Sequence, residues 1–413
     1  MRSLIIPILC LTVRAAAAQA PPYFTVDDAV AQAIKNNPRL SAAARDVVAA
    51  RSGVRSASAI ANPEIVFSPA ISVGGSDEEL IVRQPLEING TRAARTGVAN
   101  AQLRRTQAQA VVELRNLVAE TKTAYYELAR ARELRSLSAD LLKTTEEFDQ
   151  RIHRLVEEGR RPGIETAQTT IEVARARQQL IQVDGQITGA EALLNTLMGR
   201  PVEQPVGALA PLVYSSLGVS EQDLIGAALV NRAEIALEEA GAETFRQEAR
   251  LSRAEGLPDL APQFRAGTLT RGVSDTGFGI GITLPLDFGS RKHRVRQSEQ
   301  SARAQSDRAS AQRNLVRQEV VQAVSRIRAA DGVLVSYPQG VIDQARRLLE
   351  ASRIGLQEGQ PNITVLNVLE AQRTYRTVQT EYTNALVAHA EARAELERAV
   401  GSVPATRLPE VRK

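Results

Sequence analysis

Sliding the 413-residue sequence along itself by about 195 to 202 positions aligns two halves, Thr25 to Gly199 and Ser220 to Gly401. A chain written twice on one plan must fold as two copies of one unit, so the elements of each half have to agree. Each half opens with an amphipathic helix pattern, Asp27 to Ala59 and Glu221 to Glu255, that stops before Asn62-Pro63 and Leu257-Pro258. The residue before a proline avoids the helical region, which places both stops.

The period then changes to two. Ile65, Phe67, Ile71 and Val73 share one face, and after the turn signal Gly74-Gly75-Ser76-Asp77, so do Leu80, Val82, Leu86 and Ile88. In the second half Phe278, Ile280, Ile282, Leu284, Leu286 and Phe288 alternate with Gly277, Gly279, Gly281, Thr283, Pro285 and Asp287. This alternation predicts two β-hairpins, each with one apolar face and one polar or small face. The run Gly277-Phe278-Gly279-Ile280-Gly281 keeps strict alternation and opens no helix, so it reads as strand and not as a phosphate-binding loop.

Very long helices follow, about Thr91 to Glu157 and about Ser290 to Gln357, with Pro338 expected to bend the second. Nearly 70 residues at about 1.5 Å each reach on the order of 100 Å, far beyond a globular helix. Their apolar residues recur at seven: Leu134, Leu141, Phe148 and Leu155, then Val320, Ile327, Leu334, Val341 and Leu348. The return helices carry fuller seams, Val173, Ala176, Leu180, Val183, Ile187, Ala190, Leu194 and Leu197, and Val368, Ala371, Tyr375, Val378, Tyr382, Ala385, His389, Ala392, Leu396 and Ala399. Sustained seams of this kind predict coiled-coil pairing, with alanines permitting close approach. Tight turns join the helices at Gly159-Arg160-Arg161-Pro162-Gly163 and Gly359-Gln360-Pro361-Asn362.

The N-terminus has a secretory layout: Arg2, an apolar run from Leu4 to Val13, then four alanines to Ala18. The expected organisation is a signal peptide at 1–18, a first repeat at 19–200, a linker at 201–219, a second repeat at 220–402 and a tail at 403–413. Cys10, the sole cysteine, lies in the leader and is preceded by Ile8 and Leu9, where a lipoprotein signal needs a small residue, so no lipid anchor is expected. Beyond the leader no stretch approaches the roughly 20 apolar residues of a membrane helix. The net charge of +4 would fall to +2 without Arg2 and Arg14, which gives no reason to invoke nucleic acid.

Chemistry-bearing clusters are sparse. His153, His293 and His389 are never four apart, Met1 and Met198 are the only methionines, and no ligand spacing marks a metal or cofactor site. His389 sits on a seam among tyrosines and reads as a packed residue. No nucleophile with a base and no pair of converging carboxylates suggests an enzyme. Four apolar strands cannot close a barrel alone, whereas three chains would supply twelve. On that reading Arg83, Arg265 and Arg271 sit on the polar strand faces or at their ends, toward a watery lumen, because lipid-facing arginine is costly.

The ordered set of leader and duplicated helix, hairpin, long helix, turn and return helix resembles the TolC-like outer-membrane factors. So do Gln84-Pro85-Leu86-Glu87-Ile88-Asn89-Gly90, Leu284-Pro285-Leu286-Asp287-Phe288-Gly289 and the post-turn stretch Val365 to Arg373. The short hairpin loop and the Gln-Pro-Leu-Glu-Ile phrase are most similar to the branch serving cobalt, zinc and cadmium efflux pumps. The resemblance implies a mostly α fold with a small β part: a homotrimer with a twelve-strand barrel in outer-membrane lipid and an α-barrel across the periplasm. It also implies partners, a periplasmic adaptor and an inner-membrane pump. Its acidic tip constriction carries over to Glu370 and Asn367, the second replacing an acid with an amide, with Glu165 a first-half counterpart. The turns at Gly159, Arg160, Arg161, Gly359 and Gln360 become adaptor contacts. The implied function is a passive efflux conduit for heavy-metal cations. Drug efflux and a type I protein-secretion duct share the architecture, and a pore-less periplasmic scaffold would not need the duplicated hairpins.

Overall fold

A computed structural model describes residues 23–68, 79–214, 220–267, 275–287, 289–337, 340–360 and 362–401. The leader, the turn at 74–77 with Ile71 and Val73, Arg271, Phe288, Pro338, Pro361 and the tail lie outside the described residues. The first repeat runs α1 (Val26–Asn36), α2 (Pro38–Ser58), β1 (Glu64–Ser68), β2 (Glu79–Arg83), α3 (Thr91–Glu157) and α4 (Ile164–Leu197). The second runs α5 (Glu221–Asn231), α6 (Ala233–Ala254), β3 (Asp259–Gly267), β4 (Asp275–Thr283), α7 (Ser290–Ser336), α8 (Val341–Gln357) and α9 (Val365–Val400). The fold is mostly helical with one small antiparallel sheet, as expected.

Three expectations are corrected. Each opening helix is two helices. Asn37 leaves the helical region at ψ 126° and accepts the Arg39 N–H at 2.8 Å as the cap of α2, whose first residue is Pro38. Arg232 makes the matching break in the second repeat. Both break residues then cap a return helix: Asn37 Nδ2 donates to the Leu197 carbonyl at 2.8 Å, and Arg232 Nη1 to the Ala399 carbonyl at 3.1 Å. Second, the long helix of the second repeat does not bend but stops. Tyr337, which precedes Pro338, is extended at ψ 97°, and α8 restarts after Gly340 at φ 125°. The restart shifts the seam by one residue, burying Ala345, Leu349, Ser352 and Leu356 and leaving Leu348 exposed. Third, β2 and β4 end at Arg83 and Thr283, so Leu86, Ile88, Leu284 and Leu286 belong to the strand-to-helix junctions.

The long helices are spliced together by shorter ones. α3 packs on α2, α4, α6 and α9, α7 on α6 and α9, and α8 on α9. On α4 the seam residues Ala176, Val183, Leu194 and Leu197 are buried, and Ile171, Ile181 and Leu193, off the seam, are exposed. Equivalent apolar clusters form at the same level of each repeat, one around Leu40, Leu117, Leu128 and Leu194, the other around Val316, Val320, Ile327 and Leu396. A third, with Phe148, Ile152, Leu356, Val365 and Val368, ties α3, α8 and α9 at the turn end. The described linker is laid onto the first repeat: Val206 is buried, Phe24 bridges Leu209, and Arg132 holds the Val206 and Gly207 carbonyls.

Candidate conduit: strand sheet and helical tip

The two hairpins form a single sheet in the order β1-β2-β3-β4, every neighbour antiparallel. Paired residues share a face, so the register sorts every side chain. One face carries Ile65, Phe67, Leu80, Val82, Leu260, Pro262, Phe264, Ala266, Thr276, Phe278, Ile280 and Ile282, eleven of the twelve apolar. The other carries Glu64, Val66, Ser68, Glu79, Ile81, Arg83, Gln263, Arg265 and the glycines of β4. The apolar face has no cover: Phe278 is 90% exposed, and Ile65, Phe67, Ile280 and Ile282 are all exposed. No helix among the described residues is long and apolar enough to cross a membrane; independently of that, an uncovered apolar face of this kind marks a membrane or protein contact.

Both described arginines of the expected lumen stand on the polar face, each with a carboxylate from an adjacent strand. Arg83 Nε donates to Glu64 Oε2 at 2.9 Å, and Arg265 pairs with Glu79. The junction below is held by the Gln84 to Gly90 phrase. Asp259 accepts the Glu87 and Ile88 N–H groups, and Arg95 joins the Glu87 carboxylate to the Ala57 and Ala59 carbonyls at the end of α2. Glu87 has φ 49°, a left-handed turn fixed by these contacts.

At the opposite end the two turns are built alike. Gly159 and Gly359 both have φ 69°; the next N–H, from Arg160 or Gln360, reaches back to the Leu155 or Gly355 carbonyl at 2.9 and 3.0 Å. This is the Schellman closure, and glycine supplies its left-handed residue. Arg160 projects outward beside Glu158. Arg161 is half-buried and crosses to the other turn, donating to the Leu356 carbonyl at 3.3 Å while standing 3.6 Å from Glu165. Glu165 is thereby turned inward, with Oε2 buried and lacking a hydrogen-bond partner.

Glu370 and Asn367 lie on one exposed side of the first turns of α9, where the Glu370 side chain is 72% exposed. Asn367 has a local task as well, accepting the Thr364 N–H at 2.8 Å and hydroxyl at 2.7 Å in a capping box. The sequence reading missed Arg373, which pairs with Glu172 of α4 and lies 3.7 Å from Glu370. Glu172 and Arg373 fall 13 and 14 residues past equivalent turn glycines, so opposite charges at matching repeat positions were the available signal. Gln372 faces away from Glu370 into a groove of about 240 Å³ between α3 and α8, beside Tyr375 and Arg353. Burial and nearby Arg151 push the Arg353 guanidinium pKa down, and Gln372 Nε2 is buried with no hydrogen-bond partner.

The sequence model of the outer membrane efflux protein family matches residues 29–200 and 224–402, segments that fall within the two repeats. The cobalt-zinc-cadmium resistance protein CzcC of Cupriavidus metallidurans is 25% identical over 392 residues, covering 93% of this chain and 91% of its own. The nickel-cobalt-cadmium resistance protein NccC of Alcaligenes xylosoxydans xylosoxydans is 25% identical, covering 76% of this chain and 72% of its own. In fold, the crystal structure of CusC, described as forming a transmembrane channel, superposes with a TM-score of 0.76 at 16% identity, covering 92% of both chains.

Proposed function

Because this chain belongs to the outer membrane efflux protein family, and so is an outer-membrane transport component, we propose that it is the trimeric duct of a tripartite efflux assembly carrying heavy-metal cations. The observation that carries this reading is the uncovered sheet. Its first and last strands run in opposite directions, so β4 of one chain can pair antiparallel with β1 of the next, and repetition closes a ring without free edges. Two chains would give eight strands, a barrel about filled by its own side chains; three give twelve and room for a lumen. The apolar face then meets lipid, and the Arg83–Glu64 and Arg265–Glu79 pairs line the interior with compensated charge.

The helices continue the duct, and the turn end meets the adaptor. With Glu370 toward the axis, the Gln372 and Arg353 groove on the other side of α9 faces the periplasm and, with the exposed Arg160, meets the adaptor; the Gln372 Nε2 in it has no hydrogen-bond partner of its own. Asn367 and Glu370 border the constriction; Glu165, tied to Arg161, supports the turn instead. Metal cations are the proposed cargo because both resistance proteins it resembles are named for metals, cobalt and cadmium in each, with zinc in one and nickel in the other. Deleting the gene in its host should lower tolerance to cobalt, zinc and cadmium and leave drug susceptibility unchanged. The reverse pattern would assign the duct to a drug pump.

A further inference from the structure

Three polar side chains from three separate segments converge beside the linker: Tyr214 of the linker, Asp331 of α7 and His389 of α9. His389 is 3% exposed, and its Nε2 stands 3.0 Å from Asp331 Oδ1. Both atoms are shut off from solvent, yet neither has a hydrogen-bond partner, so the approach is too oblique for an N–H to bridge it. The Tyr214 ring meets the imidazole edge-on at 5.0 Å. Its phenol lies against the Asp331 carboxylate.

A buried imidazole nitrogen and a carboxylate oxygen this close, sharing no hydrogen, have the spacing of two adjacent ligands on one ion. In an octahedral shell, bonds of about 2.1 Å meeting at right angles put adjacent donor atoms about 3.0 Å apart. We propose that His389 Nε2, Asp331 Oδ1 and the Tyr214 hydroxyl form a divalent transition-metal site that clamps the linker to α7 and α9. An imidazole nitrogen with two oxygens suits zinc, cobalt or nickel better than magnesium or calcium. Among the described residues no group of three or more His, Cys, Asp or Glu side chains is placed to hold a metal ion, and here the third donor is a phenol. His389 also borders a cavity of about 320 Å³ beneath the linker. Its other charged lining groups, Asp27, Lys122, Arg393 and Glu397, balance in sign, and Lys122 pairs with Glu397, so no excess positive charge repels an ion there. Such a site is structural, because its ligands lie on three segments whose relative placement the ion fixes.

The test uses the full chain purified in detergent with a histidine-free affinity tag and Co²⁺ or Zn²⁺ as the probe. Equilibrium dialysis should give one Co²⁺ per chain, X-ray absorption should find one imidazole among oxygen ligands, and Zn²⁺ should raise the thermal unfolding temperature. His389→Gln and Asp331→Asn should each weaken binding by tenfold or more and abolish the thermal shift, Tyr214→Phe should weaken it less, and His293→Gln, at an exposed histidine near the start of α7, should leave it unchanged. Absence of bound ion in the parent chain, equal binding in every variant, or a cobalt shell without imidazole would each overturn the proposal. The X-ray absorption arm needs no variant to fold. A chain that forms a conducting trimer but binds no ion would refute this site and leave the proposed duct standing.

Discussion

In the proposed duct, ion selection at the tip turns on Glu370, and its neighbours set how strong that selection can be. Three copies near one axis give a negative field that favours cations. Arg373 beside it, shared with Glu172, reduces that field. Glu370→Gln should lower cation selectivity in planar bilayers and weaken divalent block on the order of tenfold, with trimer yield unchanged. Asn367→Asp should do the opposite without harming α9, because the capping box uses only the Asn367 Oδ1 acceptor, which aspartate also offers. Identical conductance in both variants would place the constriction elsewhere. A stability prediction belongs to Arg232, buried between Glu234 and Glu319 and capping Ala399. Arg232→Ala should cost about 3 kcal/mol, the low end for a broken buried pair, because both carboxylates keep some solvent. A chemical-denaturation midpoint equal to the parent's would show that the pair contributes nothing.

Among the elements, the periodicity that wrote the coiled-coil seams was legible, and the places where the helices stop were less so. Val183 is almost fully buried on the α4 seam, more than its neighbours Leu180 and Ile187. An unpaired carboxylate there costs about 3–5 kcal/mol. Val183→Asp should therefore abolish trimer recovery, and Leu180→Asp or Ile187→Asp should only reduce it. Equal yields from all three would mean the seam faces another way. The break at Asn37 had a readable sign, an Asn-Pro pair, that the apolar stripe across it hid. The break at Arg232 had none, because its cause is a tertiary network of Glu319 and the end of α9. Leu348 kept the seven-residue count yet is exposed, since a count carried through Pro338 takes for granted a helix that in fact restarts. In the tip, the glycine turns and the exposed Glu370 followed from local pattern. The burial of Glu165 did not, because Arg161 draws it in from a position that on α4 alone would look solvated. Gly199 shows the same coupling: φ is 67°, and a Cβ there would sit 2.6 Å from the Asn36 carbonyl oxygen. Gly199→Ala should lower stability by about 2 kcal/mol through left-handed strain and that clash, and an unchanged unfolding temperature would contradict this packing.

For the whole molecule, everything rests on whether single chains, each carrying four strands and an uncovered apolar face, join edge to edge into one closed barrel. The alternation in the sequence foretold the faces, and the register adds that both hairpins share them, which one hairpin read alone could not reveal. The most direct measurement is disulfide trapping across the proposed seam between β1 and β4, in a Cys10→Ser background. Val66 and Gly277, Gly279 and Gly281 all stand on the polar face, so Val66→Cys is combined with each glycine replaced by cysteine in turn. The account predicts that one register, oxidised in outer-membrane fractions, gives a covalent species of three chains that survives boiling and that reductant returns to monomer. Oxidised material that ran as monomer in all three pairings, or extended into an open ladder beyond three chains, would contradict the closed trimer.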